Sequence, residues 1–305
     1  MAEKDSRRKS RKEKKAGLRE LLRVPGGERV DLSSYDTDSV SLGPGDKSVG
    51  KAATARMGED LADLQERLFA ASTAGDRRRV LLVLQGMDTS GKGGTIKHVI
   101  GFCNPAGCRV RAFQAPTAEE RAHPFLWRVE QALPHPGELG IFDRSLPHAR
   151  LRSRGGTPIE DVLVARVREL APRDEIERRY DEINRFEKSL ADDGTTVIKC
   201  FLHICFQEQR RRLVKRLDRP DKHWKFSPSD IDDRALWPAF QEAYTIALER
   251  CSTSYAPWYV IPSDHKWYRN WAVGRLLLEH LRELDPRYPK PDFDVAQCRR
   301  RLLAQ

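Results

Sequence analysis

A three-layer α/β/α fold around a five-stranded parallel sheet is what this sequence predicts, on three observations. From Arg79 onward, short β-rich runs alternate with helical patterns, the arrangement of parallel strands joined by crossover helices. The first run, Val80-Leu81-Leu82-Val83-Leu84, is apolar throughout, as a strand covered on both faces is. Directly after it stands Gly86-Met87-Asp88-Thr89-Ser90-Gly91-Lys92-Gly93-Gly94-Thr95, a glycine loop in the setting strand, loop, helix.

The elements follow in order. Residues 1–50 are polar, broken by Pro25-Gly26-Gly27 and Gly43-Pro44-Gly45, and begin with a basic run from Arg7 to Lys15; they are expected to form a disordered extension, a solubilising tail or a binding arm. A lead-in helix is predicted over 51–71, with Leu61, Leu64, Leu68 and Phe69 as its packing stripe. The predicted strands are 80–84, 109–113, 139–142, 196–204 and 258–261. Helices are predicted near 92–102, 117–132, 160–170, 173–191, 231–250 and 266–284, Thr117 and Glu120 having capping-box spacing and Gly194 standing where a helix ends. Residues 51–293 therefore read as one catalytic domain carrying a lid at about 207–230, and 294–305 as a C-terminal tail.

A loop of this kind cradles phosphate. Its glycines let backbone N–H groups converge, and the helix from about Gly94 to Ile100 aims its positive end at the same spot. Gly86, Ser90, Gly91, Gly93, Gly94 and Thr95 are the candidate substrate-binding positions, and Lys92 supplies a mobile positive charge for the terminal phosphates. The pattern departs from G-x-x-x-x-G-K-[ST] at Gly93, where a hydroxyl would hold magnesium. Asp88, inside the loop, is the candidate replacement ligand. The fold is thus expected to be of the P-loop type.

Ligands of doubly wound sheets sit at the carboxyl ends of the strands. Ile141-Phe142-Asp143-Arg144-Ser145 puts an acid and a base there: Asp143 to hold magnesium opposite Asp88, Arg144 to reach the equatorial oxygens of a transferring phosphate. After the fourth strand, a basic helix over 209–217 leads into Asp218-Arg219-Pro220-Asp221-Lys222-His223-Trp224-Lys225-Phe226, the makeup of a lid that closes over phosphates. Arg216, Lys222 and Lys225 are its candidate phosphate contacts, whereas Arg210 and Arg211 read as a solvated helix face.

A net charge of +10 over 305 residues implies an acidic partner, whether nucleic acid, an anionic membrane or a polyanionic substrate. No apolar stretch approaches the roughly 20 residues of a membrane span and no signal-peptide core follows the basic start, so a cytoplasmic location and no membrane partner are expected. The six cysteines form no C-x-x-C pair and read as reduced; Cys200, His203 and Cys205 read as a buried strand in preference to a zinc site. The absence of an Asn-Lys-x-Asp motif argues against a signalling GTPase.

Four ordered motifs resemble the polyphosphate kinase 2 family over residues 60–293. They are the loop Gly86 to Thr95, Phe142-Asp143-Arg144-Ser145, Arg216-Leu217-Asp218-x-Pro220-Asp221-Lys222-x-Trp224-Lys225-Phe226, and Ala256-Pro257-Trp258-Tyr259-Val260-Ile261-Pro262 continuing through Lys266-Trp267-Tyr268-Arg269-Asn270. The resemblance implies reversible, magnesium-dependent transfer of the terminal phosphoryl group of inorganic polyphosphate to a nucleoside mono- or diphosphate, AMP, ADP or GDP, without a covalent enzyme intermediate. It implies that Asp88 and Asp143 arrange Mg2+ and the acceptor phosphate, that Lys92 neutralises the transferring group, and that Arg144, Arg216, Lys222 and Lys225 hold the polyanion. It also implies a homodimer or homotetramer, with polyphosphate and nucleotide as partners and no nucleic acid.

In the family, the segment after Arg-Ser reaches the next helix within a few residues, typically through an aromatic. Here Leu146 to Ile159 intervenes, with Arg150, Arg152, Arg154, Gly155 and Gly156. It is open whether this is a surface loop, an added polyanion contact or a disruption of acceptor binding. Two other readings share parts of the pattern: an ATP-dependent nucleotide or small-molecule kinase, which uses the same loop and lid, and a non-catalytic polyphosphate-binding protein.

Overall fold

The computed structural model describes residues 17–113, 117–143 and 158–305. Its strands are β1 (Arg79–Gln85), β2 (Cys108–Ala112), β3 (Leu139–Asp143), β4 (Thr195–His203) and β5 (Trp258–Pro262). They lie in the order β2-β3-β1-β4-β5 and every pair is parallel. The helices are α1 (Leu18–Leu22), α2 (Lys47–Ser72), α3 (Lys92–His98), α4 (Ala118–Ala122), α5 (Trp127–Glu130), α6 (Pro158–Val167), α7 (Arg173–Asp192), α8 (Phe206–Leu217), α9 (Ser229–Ala235), α10 (Trp237–Cys251), α11 (Lys266–Leu284) and α12 (Val295–Leu303). All five predicted strands are present.

Alternation along β1 explains its uninterrupted hydrophobicity. Val80, Leu82 and Leu84 join Ile141, Ile198, Cys200 and Ile261 beneath α2 and α11, which bring Leu61, Leu68, Leu276 and Leu277. Leu81 and Val83 face the opposite way, with Phe142 and Val197. On that second face α6, α7 and α10 bring Val164, Ile183, Tyr244 and Leu248 against Phe201 and Val260. Each such buried side chain contributes roughly 1.5–3 kcal/mol, which is why both layers bind the sheet firmly.

Local chemistry sets where the helices begin and end. Helix α2 starts earlier than periodicity suggests because the Asp46 carboxylate accepts from Ser48 N and Val49 N at 2.7 and 3.0 Å. The Thr117 capping box is present, but the helix predicted over 117–132 is two pieces, because His123, the residue before Pro124, is extended. The helix predicted over 231–250 is likewise divided into α9 and α10 near Leu236, with Pro238 in the first turn of α10.

The expected disordered extension to residue 50 needs correction, because residues 17–50 are built into the fold. Leu18, Leu22, Val24, Val30 and Leu32 are buried. Val24 N donates to Trp258 O at 2.8 Å, and Arg23 makes an antiparallel bridge to Tyr259. This segment therefore covers the open edge of β5, whose unpaired backbone groups invite pairing with other chains. Residues 1–16 with the basic run lie outside the described residues. In the tail, Asp294 caps α12, whose side chains stay largely exposed. Among the described residues no helix is long and apolar enough to cross a membrane.

Candidate functional site

The strand order places the ends of β1, β3 and β4 side by side, Leu84 pairing with both Asp143 and Cys200. The loop 86–91 leaves β1 at this point. Gly86 (φ +146°) and Gly91 (φ +110°) occupy left-handed conformations, and a Cβ on Gly86 would stand 2.6 Å from Leu202 O. Thr89 is left-handed as well (φ +64°), an unusual conformation for a β-branched residue. Ser90 N donates to Met87 O at 3.0 Å, and Lys92 Nζ donates to Gly86 O at 2.7 Å, curling the lysine over its own loop.

Ser90 and Thr95 are fully buried, and the Thr95 hydroxyl donates back to Gly91 O at 3.3 Å. Both were candidate substrate contacts; here their backbone N–H groups are engaged within the loop and helix, with Met87 O and Gly91 O, each at 3.0 Å. Gly93 and Gly94 lie in the first turn of α3, which runs 92–98 and continues as a 3-10 turn over Ile100–Phe102.

The two candidate acids differ in setting. Asp143 ends β3 and is 3% exposed. Asp88 projects from the loop, with its side chain 42% exposed, and pairs with the lid: Arg216 Nη1 donates to its Oδ2 at 2.8 Å and to Lys225 O at 3.0 Å. Asp230, 3.8 Å from Arg216, is pushed up to about 6 by burial and then by the nearby Asp88 charge. The lid is helical, as expected: α8, a 3-10 turn over Pro220–Lys225, then α9. Lys222 pairs with Asp221 at 3.0 Å, and Lys225 lies over the Trp224 ring. Arg144, and the intervening segment up to residue 157, lie outside the described residues.

Two functional candidates were missed in sequence. Arg212 is 6% exposed; its Nη1 donates to Thr89 O and Ser90 O at 2.8 and 3.0 Å, and its Nη2 to Ser263 O and Asp264 O at 2.6 and 2.9 Å. Arg269, 2% exposed, donates to Ser90 O at 3.0 Å and to Asn270 Oδ1 at 2.8 Å. Position 269 belongs to a recognised motif and 212 to a visibly basic helix. Helical spacing held the signal for Arg212, since Gln209, Arg212 and Leu213 share the buried stripe.

Cys200 and His203 are buried in β4, His203 facing Leu32 O, while the Cys205 thiol caps α8 by accepting from Glu208 N at 3.3 Å. All six cysteines are free, and among the described residues no group of three or more metal-ligating side chains occurs. Magnesium suits Asp88 and Asp143 on chemical grounds, because it is commonly held by one or two carboxylates together with substrate phosphates and water.

A family model described as polyphosphate kinase 2 matches residues 45–289. The chain is similar to an AMP/ADP-polyphosphate phosphotransferase of Meiothermus ruber, 46% identical over 88% of this chain and 95% of that protein. It is 35% identical to an ADP-polyphosphate phosphotransferase of Rhodopseudomonas palustris, over 93% of this chain and 95% of that one. The crystal structure of polyphosphate kinase 2 from Arthrobacter aurescens TC1 superimposes with a TM-score of 0.88 at 44% identity, covering 95% of this chain and 98% of that chain. With that family model matching residues 45–289 and with such relatives covering most of its length, the chain belongs to the polyphosphate kinase 2 family.

Proposed function

We propose that this protein transfers the terminal phosphoryl group of inorganic polyphosphate directly to a nucleoside mono- or diphosphate, AMP or ADP above all. The observation that carries the reading is the convergence, at the carboxyl end of the sheet, of the loop 86–91, Asp143 and the lid residue Arg216, in a chain whose relatives bear phosphotransferase names. Direct transfer needs alignment and charge neutralisation more than a nucleophilic side chain. Lys92 and the lid residues Arg216, Lys222 and Lys225 supply positive charge around the polyanion, and the lid excludes water when it closes. Asp88 and Asp143 would hold Mg2+, which offsets phosphate charge when bound. Arg144 follows directly on Asp143 in the chain and belongs to the same set. The enzyme acts in the cytoplasm as a homodimer or homotetramer on this reading, and light scattering checks the assembly.

The deciding experiment is product analysis with polyphosphate as sole donor, magnesium, and AMP, ADP, GMP and GDP as acceptors. New di- or triphosphate is expected from the adenine nucleotides. Turnover with ATP but none with polyphosphate would overturn the proposal in favour of an ATP-dependent kinase.

A further inference from the structure

The back of the loop is built unlike its front. Arg212 and Arg269 approach from α8 and α11 and meet at one atom, Ser90 O. Arg212 shares its carboxylate partner Glu208 with Arg211, and the hydrogen-bond acceptors of Arg269 among the described residues are the neutral Ser90 O and Asn270 Oδ1. Burial and then Arg212 bring Arg269 down to about 9. Two buried guanidinium groups, Arg212 and Arg269, thus stand together with Glu208 as the carboxylate partner of Arg212 in a low-dielectric setting, which is unfavourable until an anion arrives.

The same contacts set the shape of the loop. A left-handed β-branched residue is strained by about 1–3 kcal/mol and persists only where its surroundings impose it; at Thr89 the Arg212 hydrogen bond to its carbonyl does so. A trans peptide points its C=O and N–H in opposite directions. Anchoring Ser90 O to the two guanidinium groups therefore turns Gly91 N–H away from them. The anchor is tight: a Cβ on Gly91 would fall 1.7 Å from Arg269 Nη1 and one on Gly94 2.9 Å from Nη2, so these glycines also make room for the arginine.

We propose that Arg212 and Arg269 are positioning residues that hold the carbonyl side of loop 86–91, aim Gly91 N–H forward, and leave buried positive charge that a bound phosphate completes. The proposal rests on the reading of this loop as the phosphate cradle, not on the identity of the acceptor.

The test measures the rise in Tm given by inorganic triphosphate, together with kcat/KM for polyphosphate, in wild type, Arg269→Lys and Arg269→Gln. Glutamine keeps a donor for Ser90 O without charge; lysine keeps charge without the planar fork. The wild-type shift is expected to shrink in the lysine variant and vanish in the glutamine variant, with kcat/KM falling by about 10²-fold in the latter. A glutamine variant with the full wild-type shift overturns the proposal, because a scaffold role alone would lower the Tm of the free protein and spare the shift. Should that variant not fold, the lysine variant decides: an undiminished shift overturns the proposal and a reduced one supports it. Wild-type protein that binds triphosphate but turns over no polyphosphate refutes the proposed function and leaves this inference to the binding arm.

Discussion

Cationic side chains stand both behind and in front of loop 86–91, and their depth decides what they do. Behind it, Arg212 and Arg269 are 6% and 2% exposed and bond to carbonyl oxygens. In front, Arg216, Lys222 and Lys225 sit on the lid, engaged with Asp88, Asp221 and the Trp224 ring. Hydrogen bonds in a low-dielectric interior hold geometry, whereas partly exposed ion pairs add little stability and can exchange partners when a ligand arrives. The proposed transfer uses both: a cradle that does not yield and cations that can move onto phosphate.

The strongest way to break this comparison is to attack the acids between the two sides. Asp143→Asn and Asp88→Asn should each lower kcat by about 10²–10³-fold with the circular dichroism spectrum unchanged. A near-normal rate in either would rule that residue out as a proposed magnesium ligand. On the front, the double change Lys222→Ala and Lys225→Ala should raise KM for polyphosphate about tenfold while leaving Tm within error, as exposed pairs imply. Equal KM, or a large fall in Tm, would erase the distinction between the two sides of the loop.

A smaller effect probes the support of the back. Thr37 Oγ1 donates to Asp264 Oδ2 at 2.7 Å, and Asp264 O accepts from Arg212, so the N-terminal segment braces the same arginine. Removing residues 1–16 should change neither Tm nor rate. Removing 1–45 exposes β5 and should lower Tm by about 10 °C; an unchanged melting curve would show that the brace is dispensable.

The smallest effect is at Asp230. Its folded-state value is raised to about 6, so its contribution to stability is complete below its ordinary value and is lost as pH rises through 6. Asp230→Asn should therefore raise Tm by about 2 °C at pH 8, and the gain should disappear at low pH. A gain that persists at low pH would trace the effect to packing instead of charge.

Much of the fold was legible because its signals are local. Apolar strands, a capping box at Thr117 and a glycine ending α7 each act within a few residues, and they read correctly. Two predicted helices are divided because a proline next to an extended or turning residue outweighs apolar periodicity. The N-terminal segment was misjudged for the opposite reason: Leu22, Val24 and Leu32 carry no strong period of their own and are ordered by the β5 edge.

By itself the sequence determined the parallel α/β architecture, the glycine loop, the strand-end acid and the basic lid, since each is written in contiguous residues with a strict conformational requirement. Only the tertiary structure decided which cations back the loop and which face it. Arg212 and Arg216 stand four residues apart on one basic helix, yet one bonds to loop carbonyls and the other to Asp88. That difference comes from the packing of α8 and α11 around the loop, a long-range arrangement that no local spacing encodes.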